Sequence, residues 1–460
     1  MRVSKEVEIE NRIRAEFKRC LSDLHATALD NDVELLAHVV AHTMSSPGRY
    51  FHRAQHIFDL LLPDDPILSL AALFHDMVYF QVDEGFPELA SEFLSSKIRT
   101  DAQGLFLKEE ALSGAPGLAV VCGIFNVKPG QKLDPMHGLN EFLSAVLAEK
   151  YLSPFLPFKV VCQIVVCIEA TIPFRSSAKG PNPAHALALT LSRCNREFNI
   201  GFDENEISSS IKRAVHLANR DVQNFASENH AWFLATTWLL LPERNDRLRG
   251  DQFTFGDYRK SVQKMVGFFK FLSSDLVFNQ YDGFPDDETF RASKGAAATN
   301  IAIAREYLNA KLVAIAILEA LAHISGGDLP MVKFLGNLKT TDPSKRRMED
   351  YLPDPMDSTE SSSLILALLQ KGRPLESNFD LRNSPLAAYL MGNLTRLQWE
   401  DLSDACQLYL GEKMTAIEFL MRLPKNLATT VVSACTQSCP MRRESLDAIL
   451  ASLNEDQMGR

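Results

Sequence analysis

An adjacent His75-Asp76 pair and two histidines four residues apart, His52 and His56, are the side chains best suited to chemistry in this chain. In SSPGRYFHRAQHIFDLLL, Ser45 or Ser46 offers an N-cap and Pro47 suits a first helical turn. His52 and His56 are then expected on one helix face, with Arg49 one turn earlier. In LSLAALFHDMVYF, residues Leu68 to Phe74 make a helix apolar nearly all round, which predicts burial. His75 and Asp76 stand at its end, and a buried carboxylate is costly unless it is paired or bound to a metal. A divalent cation shared with His52 would remove that cost. Imidazole nitrogen and carboxylate oxygen suit Mn, Fe, Zn or Mg. A further acid, Asp221 in AVHLANRDVQNFA, lies on a largely apolar helix, either as a fourth ligand or paired with Arg220 or another base.

Other side chains frame this group. His56 is read either as a catalytic or substrate-facing histidine or as simple packing beside His52. Glu141 is read either as a residue that orients a ligand or activates water, or as a solvated helix acid. Glu169, inside the apolar run VVCQIVVCIEATIPF, needs a base, and Arg49 or Arg175 could supply it. Arg49, Arg175 and Arg220 are candidate phosphate clamps, because guanidinium matches phosphate bidentately. His38 and His42 lack a neighbouring acid in sequence and read as surface or core histidines.

The elements that must position these residues are helical. Apolar residues recur at three- and four-residue steps in Val33–His42, Ala54–Leu62, Leu68–Val78, Glu141–Leu152, Val160–Ala170, Ile207–Phe225, Tyr258–Ser274 and Thr299–Ile324. Period-two runs are scarce and no hairpin signal is evident, which predicts an all-α fold.

The ordered pieces Arg49-Tyr50-Phe51-His52 with His56, Phe74-His75-Asp76-Met77-Val78-Tyr79, Asn140-Glu141-Phe142-Leu143-Ser144-Ala145, Ile168-Glu169-Ala170-Thr171 and Asn219-Arg220-Asp221 resemble the HD superfamily of metal-dependent phosphohydrolases. More narrowly, they resemble the pattern of bacterial HD phosphohydrolases with R-x-YH-x3-H, FHD-x-VY and NE-x2-SA pieces. The likeness covers roughly residues 35–310. It implies an HD-type helical core and one divalent metal held by His52, His75, Asp76 and Asp221. It also implies hydrolysis of a nucleotide or other small phosphorylated metabolite. Asp76, His56 and Glu141 would be catalytic, and Arg49, Arg175, Tyr79 and Thr171 would contact substrate. The chain departs from the pattern in three places. Phe51 directly precedes His52, about fifty residues (83–139) separate two of the pieces, and Phe174 stands where a histidine often follows.

This reading divides the chain into an N-terminal helical segment (1–34), an HD-type domain (35–310) with an insertion at about 83–139, and connecting helices (311–340). A charged, Pro-rich linker (341–362) and a small helical unit (363–460) follow. The last of these could dock a partner protein, in which case the HD core would be a non-catalytic regulatory scaffold. A net charge of -10 argues against a large nucleic-acid or anionic-membrane footprint. The eight cysteines form no C-x-x-C pair and read as reduced thiols of a cytoplasmic protein. Val160–Ile172 and Ala310–Ile324, the most apolar stretches, fall short of ~18 unbroken apolar residues, so no membrane span is expected.

Overall fold

The computed structural model describes residues 2–175, 182–336, 346–353 and 364–455. They form an all-α protein carrying one small antiparallel sheet. In chain order the elements are α1 (Arg2–Asp23), α2 (Asp30–Met44), α3 (Ala54–Leu60), α4 (Pro66–Phe74), α5 (Ser91–Lys97), β1 (Ile98–Asp101), β2 (Gly104–Leu107), α6 (Pro116–Phe125) and β3 (Lys132–Leu133). Then come α7 (Leu139–Leu152), α8 (Phe158–Ala170), α9 (Pro183–Glu197), α10 (Glu204–Asp221), α11 (His230–Arg244), α12 (Phe255–Phe271) and α13 (Asp287–Ile324). The chain continues through α14 (Met331–Leu335), α15 (Leu364–Lys371), α16 (Pro385–Asn393), α17 (Arg396–Leu410), α18 (Ala416–Leu420), α19 (Lys425–Ser438) and α20 (Arg443–Glu455).

Two compact units divide these elements, with bounds other than those expected: residues 1–226 with 273–298, and residues 227–272 with 299–460. The N-terminal segment is not separate, because Ile13, Phe17 and Leu21 of α1 are buried in the same core as α2 and α4. Residues 227–272 and 299–310, expected in the HD-type domain, belong to the second unit, together with the C-terminal helices. The expected linker falls largely on residues 341–345 and 354–362, which lie outside the described residues. Between them Met348 is fully buried and Arg347 pairs with Glu349, so that part of the stretch is packed.

In the first unit, α8 packs against α4, α7 and α10. Its run of Val, Ile and Cys is buried from Val161 to Ala170 except Gln163. Local chemistry sets the ends of the flanking helices. Asp65 caps α4 by accepting from the Leu68 N–H at 3.0 Å, with Pro66 at the first position, and every residue from Ile67 to Phe74 is buried. A reciprocal capping box of Asp203 and Glu206 starts α10, which runs to Asp221.

Residues 83–139, expected as an insertion, are ordered. They contribute α5, α6 and the sheet, with Ile98 opposite Leu107 and Leu105 opposite Leu133. Leu94, Ile98, Leu107, Val121 and Ile124 join the core of the first unit. The hairpin was missed because its strands have at most four residues and its turn, closed by Asp101 Oδ1 on the Gln103 N–H, lacks an Asn-Gly signal.

In the second unit Trp238, Tyr258, Phe269, Tyr307 and Phe334 are fully buried side chains. Among the described residues one helix, α13, is long and apolar enough to cross a membrane, but 83% of its most apolar window is buried within the protein.

Candidate metal centre

The His75-Asp76 pair follows directly on α4, and three further elements supply its neighbours. His56 comes from α3, Asp221 from the last turn of α10 and Glu141 from the first turn of α7. His56 Nε2 lies 2.9 Å from Asp221 Oδ1 and 3.5 Å from Asp76 Oδ2. His75 Nε2 lies 3.0 Å from Asp76 Oδ2 and 3.5 Å from Asp221 Oδ1. The ligand atoms of His56, His75 and Asp221 all lie within 4.8 Å of one another.

The polarity of this cluster suits a cation. His75 Nδ1 donates to the Ala72 carbonyl at 2.8 Å, which fixes the ring and turns Nε2 toward the carboxylates. His56 Nε2, His75 Nε2 and Asp76 Oδ2 are buried without a hydrogen-bond partner. Lone pairs crowded this closely require a positive charge among them, a proton or a metal. Burial alone would raise the Asp76 carboxyl, but the neighbouring charges of His75, then of His52, hold it well below the usual carboxylate range. Burial likewise works against Asp221, yet the close imidazoles of His56 and His75 keep it depressed. Burial also opposes charge on His75, but the Asp76 carboxylate overrides it and raises the imidazole well above its ordinary value. Glu141 goes the other way: burial, then the charges of Asp76 and Asp221, push it up to about 7.

The elements are locked together by side chains reaching backbone. Asn140 and Ser144, one turn apart on α7, take the chain that follows Asp76: the Val78 N–H donates to Ser144 Oγ at 2.9 Å, and the Phe80 N–H to Asn140 Oδ1 at 3.1 Å. Gly138 precedes α7 at φ +83, and a Cβ there would meet Ile172 Cδ1 at 2.4 Å. Asn219, two residues before Asp221, exchanges two hydrogen bonds with the Asn279 backbone, both at 2.8 Å.

Several expected roles change. His52 and His56 do not share a helix face. Ser45 ends α2 with its hydroxyl on the Ala41 carbonyl, residues 45–53 are non-helical, and the extended Arg53 starts α3. His56, expected to be catalytic, is the histidine in the carboxylate cluster. His52, expected as a ligand, sets its ring edge-on to Tyr79 with centroids 4.8 Å apart, and its charge acts on the Asp76 carboxyl.

Arg49 is fully buried and engaged, so it is no phosphate clamp. Its Nε donates to Asp83 Oδ1 at 3.0 Å, Nη2 to Asp83 Oδ2 at 2.6 Å, and Nη1 to the Asp76 carbonyl at 2.7 Å. Asp83 had no assigned role, although the need of a buried arginine for an acid was the signal that could have found it. Arg220 donates to the carbonyls of Asp59 and Leu60, the end of α3, rather than facing a ligand.

Arg175 pairs bidentately with the buried Glu169, leaving its Nε buried without a partner. Thr171 donates to the Ile168 carbonyl at 2.8 Å. Thr171 and Arg175 both line a narrow cleft walled also by Ala218 and Val222 of the Asp221 segment. Phe174, where the family pattern often has histidine, packs its ring on Phe225.

Compared with protein-family models, curated proteins and solved structures, the chain matches none of them.

Proposed function

We propose that this protein is a metal-dependent phosphohydrolase of HD type, acting on a nucleotide or another small phosphorylated metabolite. His56, His75, Asp76 and Asp221 would hold one cation. The observation that carries the reading is the meeting of two imidazole nitrogens and two carboxylate oxygens within 3.5 Å, three of the atoms buried without a partner. A donor set of two nitrogens and two oxygens suits Zn, Mn or Fe, with Mg a weaker match.

Bound there, a divalent cation would polarise a phosphoryl oxygen, acidify a water and draw Glu141 back toward its ionised form. Glu141 is the proton-handling group. Raised by burial and by Asp76 and Asp221 in the metal-free site and drawn back by a cation, its carboxyl would take a proton from attacking water or return one to the leaving oxygen. Tyr79 and His52 would wall the site, and Thr171 and Arg175 would face substrate from the neighbouring cleft. Eight free, buried thiols fit a reducing compartment such as the cytoplasm.

A non-catalytic HD scaffold is the second reading. It is favoured by the engagement of both Arg49 and Arg175 with carboxylates, which leaves the site short of free cations for phosphate. Elemental analysis of purified protein and of His75→Ala tests the metal. Hydrolysis of a panel of nucleotides and phosphomonoesters with Mn or Mg, set against Asp76→Ala, tests the chemistry. Metal lost in His75→Ala and turnover lost in Asp76→Ala are expected. Metal retained with no turnover on any substrate selects the scaffold.

A further inference from the structure

His38 and His42, which the proposed phosphohydrolase site does not involve, stand four residues apart on α2 and share one helix face. Their ring centroids are 6.1 Å apart. The fold brings each of them an acid from a distant segment. Glu10 of α1 places Oε2 3.5 Å from His38 Nδ1. Glu88, in the 83–139 stretch, places Oε2 3.2 Å from His42 Nε2. Glu34, one turn before His38, is engaged by Arg14 instead.

All four side chains line one open groove of about 500 Å³. Among the described residues that line it none is a lysine or arginine, so a cation entering it meets no like charge. The two N···O separations are long for a charge-assisted hydrogen bond, which spans ~2.7–2.9 Å. They come close to the spacing of two donors on one tetrahedral ion, which bonds of ~2.0–2.2 Å set ~3.3–3.6 Å apart. Two imidazoles on such an ion have their ring centres ~5 Å apart. The four side chains are between 43% and 82% exposed, so rotation in solvent can close the remaining gap.

We propose that His38, His42, Glu10 and Glu88 form a second, exposed metal site that takes a divalent transition ion such as Zn²⁺, Ni²⁺ or Co²⁺. Imidazoles at helical i, i+4 spacing chelate such an ion. They select it over Mg²⁺ and Ca²⁺, which prefer oxygen ligands. The bound ion would tie α1 and the segment at Glu88 to α2. The site shares no ligand with the His75-Asp76 cluster and does not depend on how that cluster is read. An ion on exposed side chains is expected to leave on dialysis, so the metal that survives dialysis still reports the buried centre.

The test is calorimetric titration with Zn²⁺ of the untagged full chain, stripped with chelator, and of the double variant His38→Gln, His42→Gln. The parent chain is expected to bind one ion more than the double variant, whatever the buried centre holds, because that centre is the same in both. Glu88→Gln is expected to weaken the groove ion by about 10–100-fold, the range for losing a carboxylate partner at a metal site. An excess of Mg²⁺ is expected to leave the ion in place. The substituted side chains are exposed, so the fold is expected to persist, and an unchanged urea midpoint checks it. Equal stoichiometry in the parent and the double variant overturns the proposal and leaves two surface ion pairs. Displacement of the ion by Mg²⁺ overturns it as well, because it would mean diffuse attraction to an acidic groove.

Discussion

His75 can serve a cation only because its other nitrogen is committed: the Nδ1–H held on the Ala72 carbonyl sends the Nε2 lone pair to the carboxylate side. His56 completes the pair from α3, and Arg220 fixes that helix end by donating to the Asp59 and Leu60 carbonyls. The proposal therefore assigns different weights to two histidines four residues apart. His56→Ala is expected to lower metal affinity by about 10–100-fold or more, while His52→Ala keeps most of the bound metal; elemental analysis after dialysis checks both. Stoichiometric metal in His56→Ala would remove that residue from the ligand set. Arg49 reaches the cluster only through the Asp76 carbonyl. Arg49→Met leaves the buried Asp83 without its counter-charge and is expected to destabilise the protein by about 3–5 kcal/mol, the range for removing one partner of a buried pair, read as a lower urea midpoint. How much of this was legible in the sequence differs by residue. His75, Asp76 and Asp221 were readable because each puts a polar group on an apolar helix, a cost that asks for an explanation. The place of His56 in the carboxylate cluster was not readable. It depends on the extended Arg53, and nothing local in SSPGRYFHRAQ forbids a helix there.

Helix α7 does two jobs with one turn. Leu143, Val146 and Leu147 are buried in the core, while Asn140 and Ser144 receive the N–H groups of Phe80 and Val78. Between them Glu141 meets the field of Asp76 and Asp221. The order Asn-Glu-x-x-Ser-Ala thus follows from helix geometry: residues one turn apart anchor the chain beyond Asp76, and the residue between faces the carboxylates. Ser144→Ala leaves the buried Val78 N–H without an acceptor, at a cost of about 1–3 kcal/mol, measurable by urea unfolding. The same substitution is expected to reduce metal affinity, because Val78 is two residues from Asp76; an unchanged affinity would show that the ligand geometry does not depend on this anchor. Helices of this kind were legible from their apolar spacing and caps. The strands were not, since IRTD and GLFL are too short for alternation to stand out. Their register is fixed by Ile98, Leu105 and Leu107 reaching the core, which the local sequence does not reveal.

The chain leaves the first unit after residue 226, returns for 273–298, and then remains in the second, so both units are discontinuous and no composition shift marks their edges. What ties the second unit together lies far apart in sequence: Asp380 is bonded to Trp238, Lys311 and Arg373, elements up to 142 residues away. Burial by itself would raise the Asp380 carboxyl, but Lys311 and then Arg373 lower it below the ordinary value. A carboxyl lower in the folded than in the unfolded chain stabilises the fold fully above its unfolded value of about 4, and that contribution is lost as pH falls through the folded value. Stability of the second unit is therefore expected to drop with acid below about pH 4, where the unfolded state takes up the proton first. All three tryptophans, Trp232, Trp238 and Trp399, lie in this unit, so tryptophan fluorescence follows its unfolding while metal content follows the first unit. Asp380→Asn removes the titrating group and leaves Lys311 and Arg373 without a counter-charge. It should cost about 3–5 kcal/mol at neutral pH and flatten the acid limb of the fluorescence-detected stability curve. An acid limb as steep in Asp380→Asn as in the parent chain would mean that other carboxylates set the acid sensitivity and that Asp380 does not hold the second unit together.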